Sequence, residues 1–581
     1  MKPSLLILIV LSFPFTGLNG QSSNLNDSFH PPLEIPLLLS GNFGELRSGH
    51  FHSGIDIKTQ GTTGKKVLAI ADGYISRIRV AENSYGRALY IHHPEKGVTS
   101  VYGHLKSFSQ EVEDYVKQHQ YKEESFEIQL FPEEGQFPVK KGALIGRSGN
   151  TGSSEGPHLH FEIRNLDDQK PLNPLHYDFD IVDHIAPKIF GVGLYPLGSR
   201  AAVEDRHARH FLDVVATGNN RYKLMGNQVP RVSGRIGFSI RAFDFLDGAP
   251  NWCGLYSVKL YVDSVLMYHH RMDGFSFYET RYINSLIDYE EKVKHEQSFQ
   301  KSFLEPNNPL SIYEYLRNDG MYTFHGDTLH TVTYRIEDVH QNTSTLSFRV
   351  QSTDPPADSL LADHEPEGSL MPYDRENHFE REDIRVHFPQ NAFYDTIHFR
   401  YHKKAVSSHE GLFYSGMHHV HNKYTPVHKR FTLSIKPHNL PAALRSKAFI
   451  AMVNGEDDDP YVYKGGESVN HFISTEVRKF GRYAVMVDRT PPVIKPLVVN
   501  NKIISLTVKD DLAGIERYNG YINGEWVLFE YDPKNNRLTY RIDHERLKEA
   551  DHYELELYVS DPLNNIATYH DTLAIEHPGV P

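Results

Sequence analysis

Side chains able to hold a metal ion gather in two short stretches, Gly49-His-Phe-His-Ser-Gly-Ile-Asp56 and Pro157-His-Leu-His-Phe-Glu-Ile-Arg164. In an extended strand successive side chains alternate faces. His52 and Asp56 then share a face, with Gly54 between them leaving room beside an ion. In the second stretch His158 and His160 share a face, while Leu159, Phe161 and Ile163 point to the apolar one. Imidazoles with one carboxylate are the ligand set that a catalytic zinc takes while keeping a fourth position open.

Each stretch alone says little, because 35 of the 581 residues are histidine. His-x-x-x-Asp occurs at His52/Asp56 and again at His176/Asp180. His-x-His occurs at His50/His52, His158/His160 and His419/His421. The first pair and the middle doublet stand out by context. Glycines punctuate both, apolar residues alternate around both, and a further histidine lies between them in Val101-Tyr-Gly-His-Leu105. His50 has the parity of His52 and is the alternative ligand. His176 has no glycine opening space beside it, so His176/Asp180 reads as a chance match. His92 and His93, near a strand end, read as surface or supporting residues.

The order of motifs then becomes specific. Asn-Phe-Gly-x-x-Arg (42–47), His-Ser-Gly-Ile-Asp (52–56), Ala-Asp-Gly (71–73), Tyr-Gly-His-Leu (102–105), Gly-x-Ser-Gly-Asn-Thr-Gly (146–152) and Gly-Pro-His-Leu-His-Phe-Glu (156–162) resemble the lysostaphin/LytM-type zinc peptidoglycan endopeptidases. The resemblance covers residues 38–177. It implies zinc ligands at His52, Asp56 and His160, catalytic histidines at His104 and His158, and His52 rather than His50 as ligand. It implies a compact antiparallel β-sheet domain whose substrate is the stem peptides of peptidoglycan. Tyr102, Asn42 and Arg47 are expected to support the ligands or the substrate, Tyr102 by sharing His104's strand face and orienting it. One departure is an insert of about thirty residues, 107–137, where many relatives have a short connection. Helical character over Gln110–Glu124 and alternation over Phe126–Phe131 predict an ordered insert. Rooted directly after His104, it is expected to narrow the substrate groove.

The elements that must position these residues are short strands. Val67–Ala71 and Gly73–Val80 flank an Asp-Gly turn, and Ala88–His92 with Thr99–Tyr102 form a hairpin across Pro94–Gly97. At 581 residues the chain exceeds one core. The expected fold class is mainly β: an extended leader (21–37), the peptidase domain (38–182), an enlarged immunoglobulin-like sandwich (183–352), a linker (353–370), a β module (371–487) and a second sandwich (488–581). An internal repeat supports the two sandwiches. Asp183-His-Ile-Ala-Pro-Lys-Ile189 is echoed by Asp488-Arg-Thr-Pro-Pro-Val-Ile-Lys495, Ile240–Gly248 with the later Cys253–Tyr256 by Leu506–Ile515, and Asp338–Asn342 by Asp561–Asn565. A charged, aromatic segment around Tyr278–Leu316 enlarges the first copy and is expected to be helical.

Composition bounds the rest. Hydrophobic content of 39% with 12% aromatics is that of globular protein, which excludes general disorder. A net charge of −13 without a basic stretch argues against nucleic acid and against a polybasic membrane anchor. Lys2 and the apolar run Leu5–Leu11 read as a secretory signal over residues 1–20, too short to span a bilayer, with no cysteine after it for lipidation. No membrane span is expected in the mature form, and the destination is periplasmic or extracellular. The single Cys253 excludes an intrachain disulfide and reads as a core residue. His418, His419 and His421 lack a partner at ligand spacing, and Asp457–Asp459 reads as a solvated turn. Two rival functions remain: a non-catalytic activator of another wall hydrolase, opposed by the complete ligand set, and an adhesin-like protein whose sandwiches bind a wall ligand.

Overall fold

The computed structural model describes residues 28–354, 367–405, 413–454, 461–547 and 552–574. The expected secretory signal, much of the expected linker and the Asp457–Asp459 loop lie outside the described residues. Among the described residues no helix is long and apolar enough to cross a membrane.

The first domain is built on an antiparallel sheet in the order Leu39–Gly41, Ile55–Lys58, His158–Asn165, Val98–Gly103, Ala88–His93, Gly73–Val80, Ile128–Leu130. The alternation in His158–Asn165 works as expected. Leu159, Phe161 and Ile163 are buried in the domain core with Ile55, Ile57, Val98 and Tyr102, leaving His158 and His160 on the other face. A second sheet of Lys66–Leu68, Leu144–Ser148 and Leu105–Phe108 stands beside the first. The chain crosses between the sheets at His104, whose φ is 58°. Left-handed backbone at a non-glycine residue is strained, and such corners cluster at functional sites.

The strand alternation expected across His52–Asp56 fails, and with it the role given to Gly54. His50–Phe51 and Ile55–Lys58 are separate strands, with His52–Gly54 an irregular link between them. A Cβ on Gly54 would lie 2.3 Å from the Phe161 carbonyl oxygen and 2.8 Å from Glu162 Cγ. Glycine here lets the link press against the neighbouring strand. It does not clear space for an ion.

The insert forms the helix Gln110–Glu123, closed by Glu124 in the left-handed region, and the strand Ile128–Leu130, which extends the edge of the main sheet far from Asp56 and His160. The helix is a seat for the last sandwich. Tyr121 packs edge-on against Trp526 at 5.3 Å and beneath the Arg546 guanidinium at 3.7 Å, and Lys117 pairs with Asp543. A cleft of about 820 Å³ separates the two bodies, with Glu113 and Lys117 on one wall, Glu530 and Lys534 on the other, and Asn150–Gly152 at its inner end. The insert lines this cleft on one side and the last sandwich on the other, and none of His52, Asp56, His104, His158 and His160 lines it.

Downstream, strands from 188 to 352 join in one twelve-stranded sheet rolled around one apolar core, rather than the two separate sheets expected of the first sandwich. Its enlarging segment is helical only in part, at Ile283–Leu286 and Tyr289–His295. Residues 369–487 carry two five-stranded sheets and a small pair around a third core. The last module opposes two four-stranded sheets across a fourth. The first domain and the first sandwich share a core of their own, where Phe43 and Phe51 meet Met272 and Phe275. Burial pushes the Cys253 thiol up in pKa, consistent with an inert core residue.

Candidate active site

Asp56 and His160 are register partners on adjacent antiparallel strands, and Gly103 flanks His160 on the other side. The ladder delivers both side chains to one point, and the irregular link brings His52 to the same place. Three atoms converge there. His160 Nδ1 lies 2.9 Å from Asp56 Oδ1, His52 Nε2 lies 3.1 Å from Asp56 Oδ1, and the two ring nitrogens are 3.1 Å apart. All three residues are buried.

These positions fit zinc. Bonds of about 2.0–2.1 Å to a tetrahedral ion put neighbouring ligand atoms roughly 3.3 Å apart, so the triangle needs only slight widening. The protons are arranged for it. His52 Nδ1 donates to the Asn42 carbonyl at 2.8 Å, which leaves Nε2 as the lone-pair nitrogen. His160 Nε2 donates to Glu162 Oε1 at 2.8 Å, which leaves Nδ1 for the ion. Without a cation two lone pairs and a carboxylate oxygen would face one another. The electrostatics show the same demand. Burial lowers His160, yet Asp56 and Glu162 outweigh it and hold the imidazole up at about 9. Burial raises Asp56, but His52, His158 and His160 hold its carboxyl well below the usual range. The two carboxylates thus favour a positive charge between them, a proton on His160 without an ion and the metal in its place when one is bound.

Around the triangle stands a supporting shell. Arg47 donates to Asp56 Oδ2 at 2.8 Å, leaving Oδ1 to the ion. Asn42 holds His52 through its carbonyl, while its amide pairs with the Gly254 backbone in the first sandwich. Glu162 accepts from His160, Ser53 (2.7 Å), Tyr85 (2.5 Å) and Arg164 (2.6 Å). Tyr85 stacks on the His160 ring with centroids 4.9 Å apart. Sequence reasoning missed Glu162, although its parity continues the His158–His160 face. Ser53 and Tyr85 carried no such signal.

His104 and His158 complete the site. Their rings meet edge to face at 4.7 Å, and His158 Nε2 lies 3.4 Å from Asp56 Oδ1. His104 Nδ1 donates to the Thr151 carbonyl and His158 Nδ1 to the Gly156 carbonyl, both at 2.8 Å. Both rings therefore keep an unprotonated Nε2. Burial, reinforced by His160 and His158, lowers His104 to about 3. One loop, 149–156, thus holds both imidazoles. It is pressed against its neighbours: a Cβ on Gly152 would meet the Gly86 nitrogen at 2.3 Å.

Tyr102 must be reassigned. The left-handed turn at His104 breaks the alternation that would put the two residues on one face. Tyr102 is buried in the core beside Phe161, and its hydroxyl bonds Ile70 N–H and Ser100. His50 is exposed and its Nδ1 donates to the Ser48 carbonyl. His93 is buried between the Asp72 carbonyl and Ser100, and His92 lies beside Tyr74. His176 pairs with Asp273 rather than Asp180. His418, His419 and His421 belong to none of the possible metal-holding groups among the described residues.

Residues 50–121 and 129–174 match the family model described as Peptidase family M23. The first domain is of the M23 peptidase type. The interruption in the match falls within the insert, and Asn42 and Arg47 lie ahead of the matched region. Residues 368–488 match a separate model, described as a Zu5-like domain. Over 131 residues the chain is 35% identical to the DD-carboxypeptidase/endopeptidase Mpg of Neisseria meningitidis, covering 22% of this chain and 23% of that protein. Over 155 residues it is 32% identical to an uncharacterized metalloprotease of Haemophilus influenzae, covering 27% of this chain and 25% of that one. The chain thus spans about a quarter of the length of these curated relatives. Among solved structures, the M23 domain is similar to the catalytic domain of the prophage-encoded M23 protein EnpA from Enterococcus faecalis, at 22% identity over 26% of this chain and 99% of that one, with a TM-score of 0.20. Zinc is the metal that the M23 domain's ligand set calls for.

Proposed function

We propose that this chain is an exported zinc endopeptidase that hydrolyses peptide cross-links in bacterial peptidoglycan. The observation that carries the reading is the converging triangle of His52 Nε2, Asp56 Oδ1 and His160 Nδ1, with two further imidazoles beside it.

Zinc held there supplies a Lewis acid, polarising a peptide carbonyl and acidifying water. The chain's own residues do the rest. His104 and His158 carry their protons on Nδ1, where backbone carbonyls fix them, and offer Nε2 to the cleft. One imidazole can take a proton from the attacking water. The other, once protonated, can hydrogen-bond the oxyanion or pass a proton to the leaving amine. Arg47, Asn42 and Glu162 touch no substrate in this scheme. They keep one Asp56 oxygen and the correct nitrogen of each histidine turned to the ion.

The resemblance to a DD-carboxypeptidase/endopeptidase favours cell-wall peptides as substrate, and the apolar run Leu5–Leu11 favours export. The activator reading is disfavoured because all three ligands and both additional histidines are in place. The adhesin-like reading does not account for the ligand cluster. The test is digestion of purified peptidoglycan by the zinc-loaded chain, with the released fragments identified by mass spectrometry. New amino termini in the cross-links, absent with Asp56→Ala, are expected. Intact wall in the presence of stoichiometric zinc would refute the proposal.

A further inference from the structure

Two buried groups of carboxylates lie outside the histidine site, and they are copies of one another. In the first sandwich Asp183 precedes the strand Lys188–Pro196, Asp244 directly follows Arg231–Phe243, and Asp338 directly follows Leu329–Glu337. In the last sandwich Asp488 precedes Val493–Val499, Asp510 follows Ile503–Lys509, and Asp561 follows His552–Ser560. Five of the six are buried, and Asp510 is partly so. The wiring is also shared. Asn342 Nδ2 donates to Asp338 Oδ2 at 2.8 Å and to the Asp183 carbonyl at 3.2 Å, and Asn565 Nδ2 donates to Asp561 Oδ2 at 2.6 Å and to the Asp488 carbonyl at 3.2 Å.

Local hydrogen bonds leave these groups incomplete. Asp488 is 1% exposed and its Oδ2 has no protein partner, and Asp244 is 4% exposed with Oδ1 in the same condition. A buried carboxylate oxygen without a partner is costly and calls for an ion or a proton. In the last sandwich the ligand oxygens of Asp488, Asp510 and Asp561 lie within 4.8 Å of one another, as do ligand atoms of Asp183, Asp338 and His340 in the first. That spread suits a cation with oxygen bonds of about 2.4 Å. The nearby basic groups are engaged or distant: Lys447 Nζ donates to the Leu563 carbonyl at 2.7 Å, and His340 Nδ1 is 3.7 Å from Asp183.

We propose that the last sandwich binds a calcium-type divalent cation at its entry, through Asp488, Asp510 and Asp561. Carboxylate donors without sulfur are the set preferred by a hard cation. The ion would have a mechanical role. Leu512, Ala513 and Leu563, next to Asp510 and Asp561, pack on Phe449, Ala451 and Met486 of the preceding module. Fixing this junction fixes how the last sandwich returns to the M23 domain.

The experiment is calcium titration of the full, zinc-loaded chain, with both metals counted by mass spectrometry after gel filtration. One calcium ion per chain is expected, with zinc unchanged and the melting temperature raised. Asp488→Asn should lose it. A wild-type chain without saturable calcium uptake, or a variant that keeps the ion, would overturn the proposal. Should the variant fail to fold, the wild-type stoichiometry decides alone, and calcium that enters only by displacing zinc counts against the proposal.

Discussion

The Asn42 side chain pairs in both directions with the Gly254 backbone, Nδ2 to the carbonyl at 2.9 Å and Gly254 N–H to Oδ1 at 2.7 Å, while the Asn42 carbonyl holds His52 Nδ1. A residue of the first sandwich thereby fixes the loop that orients a metal ligand. Asn42→Ala should weaken zinc affinity about 10–100-fold, the range for losing an outer-shell partner. Competition with a chromophoric chelator reads this directly, and unaltered affinity would show that the carbonyl holds its place without the side chain.

Removing a ligand and removing an imidazole beside the ion should differ. Asp56→Ala is expected to lose tight zinc binding and activity together. His104→Ala and His158→Ala should keep near-stoichiometric zinc while kcat drops by about two or more orders of magnitude. Zinc loss in both histidine variants would make them ligands.

Glu162 is fully buried and shared by His160 and Arg164. Glu162→Gln leaves the Arg164 guanidinium buried without its counter-ion, a loss of about 3–5 kcal/mol for a broken buried pair. Urea unfolding should show this, and a midpoint within error of wild type would mean that Arg164 finds another partner, with the ring of Phe277, 4.6 Å away, the nearest aromatic candidate.

Acid should unfold the Zu5-like module for a reason unrelated to zinc. Burial holds His418, His421 and His428 down to about 4, below the usual 6.5. These groups are neutral when folded and take up protons once unfolded. Their effect is absent above about pH 6.5, and stability is lost as pH falls from 6.5 toward 4. Urea midpoints by circular dichroism on metal-stripped protein should fall through that window. A flat profile there would contradict the assignment.

Tyr121→Ala should loosen the last sandwich from the insert helix, since it removes both the Trp526 edge contact and the ring under Arg546. Faster proteolysis after residue 488 is expected, with zinc content unchanged. Protease resistance equal to wild type would mean that Lys117–Asp543 and the contacts of Lys534 with the Asn150 and Ser154 carbonyls suffice.

The sequence by itself determined the ligand types, their order and the β class. These are local properties: alternation put His158 and His160 on one face and Leu159, Phe161 and Ile163 in the core, and glycine turns marked the strand ends. Glu162 has the same parity but drew no role from the sequence. Alternation failed where the chain stops being extended. His104 turns through a left-handed corner, so Tyr102 faces the core, and His52 reaches the ion from an irregular link rather than from a strand. Tertiary structure alone decided what meets across long separations. Gly254 supports Asn42, Tyr85 caps His160, the insert helix seats the last sandwich, and Asp183 meets Asp338 in one repeated module as Asp488 meets Asp510 and Asp561 in the other. Such contacts depend on how separately formed sheets pack on one another, and no short-range pattern of residues encodes that packing.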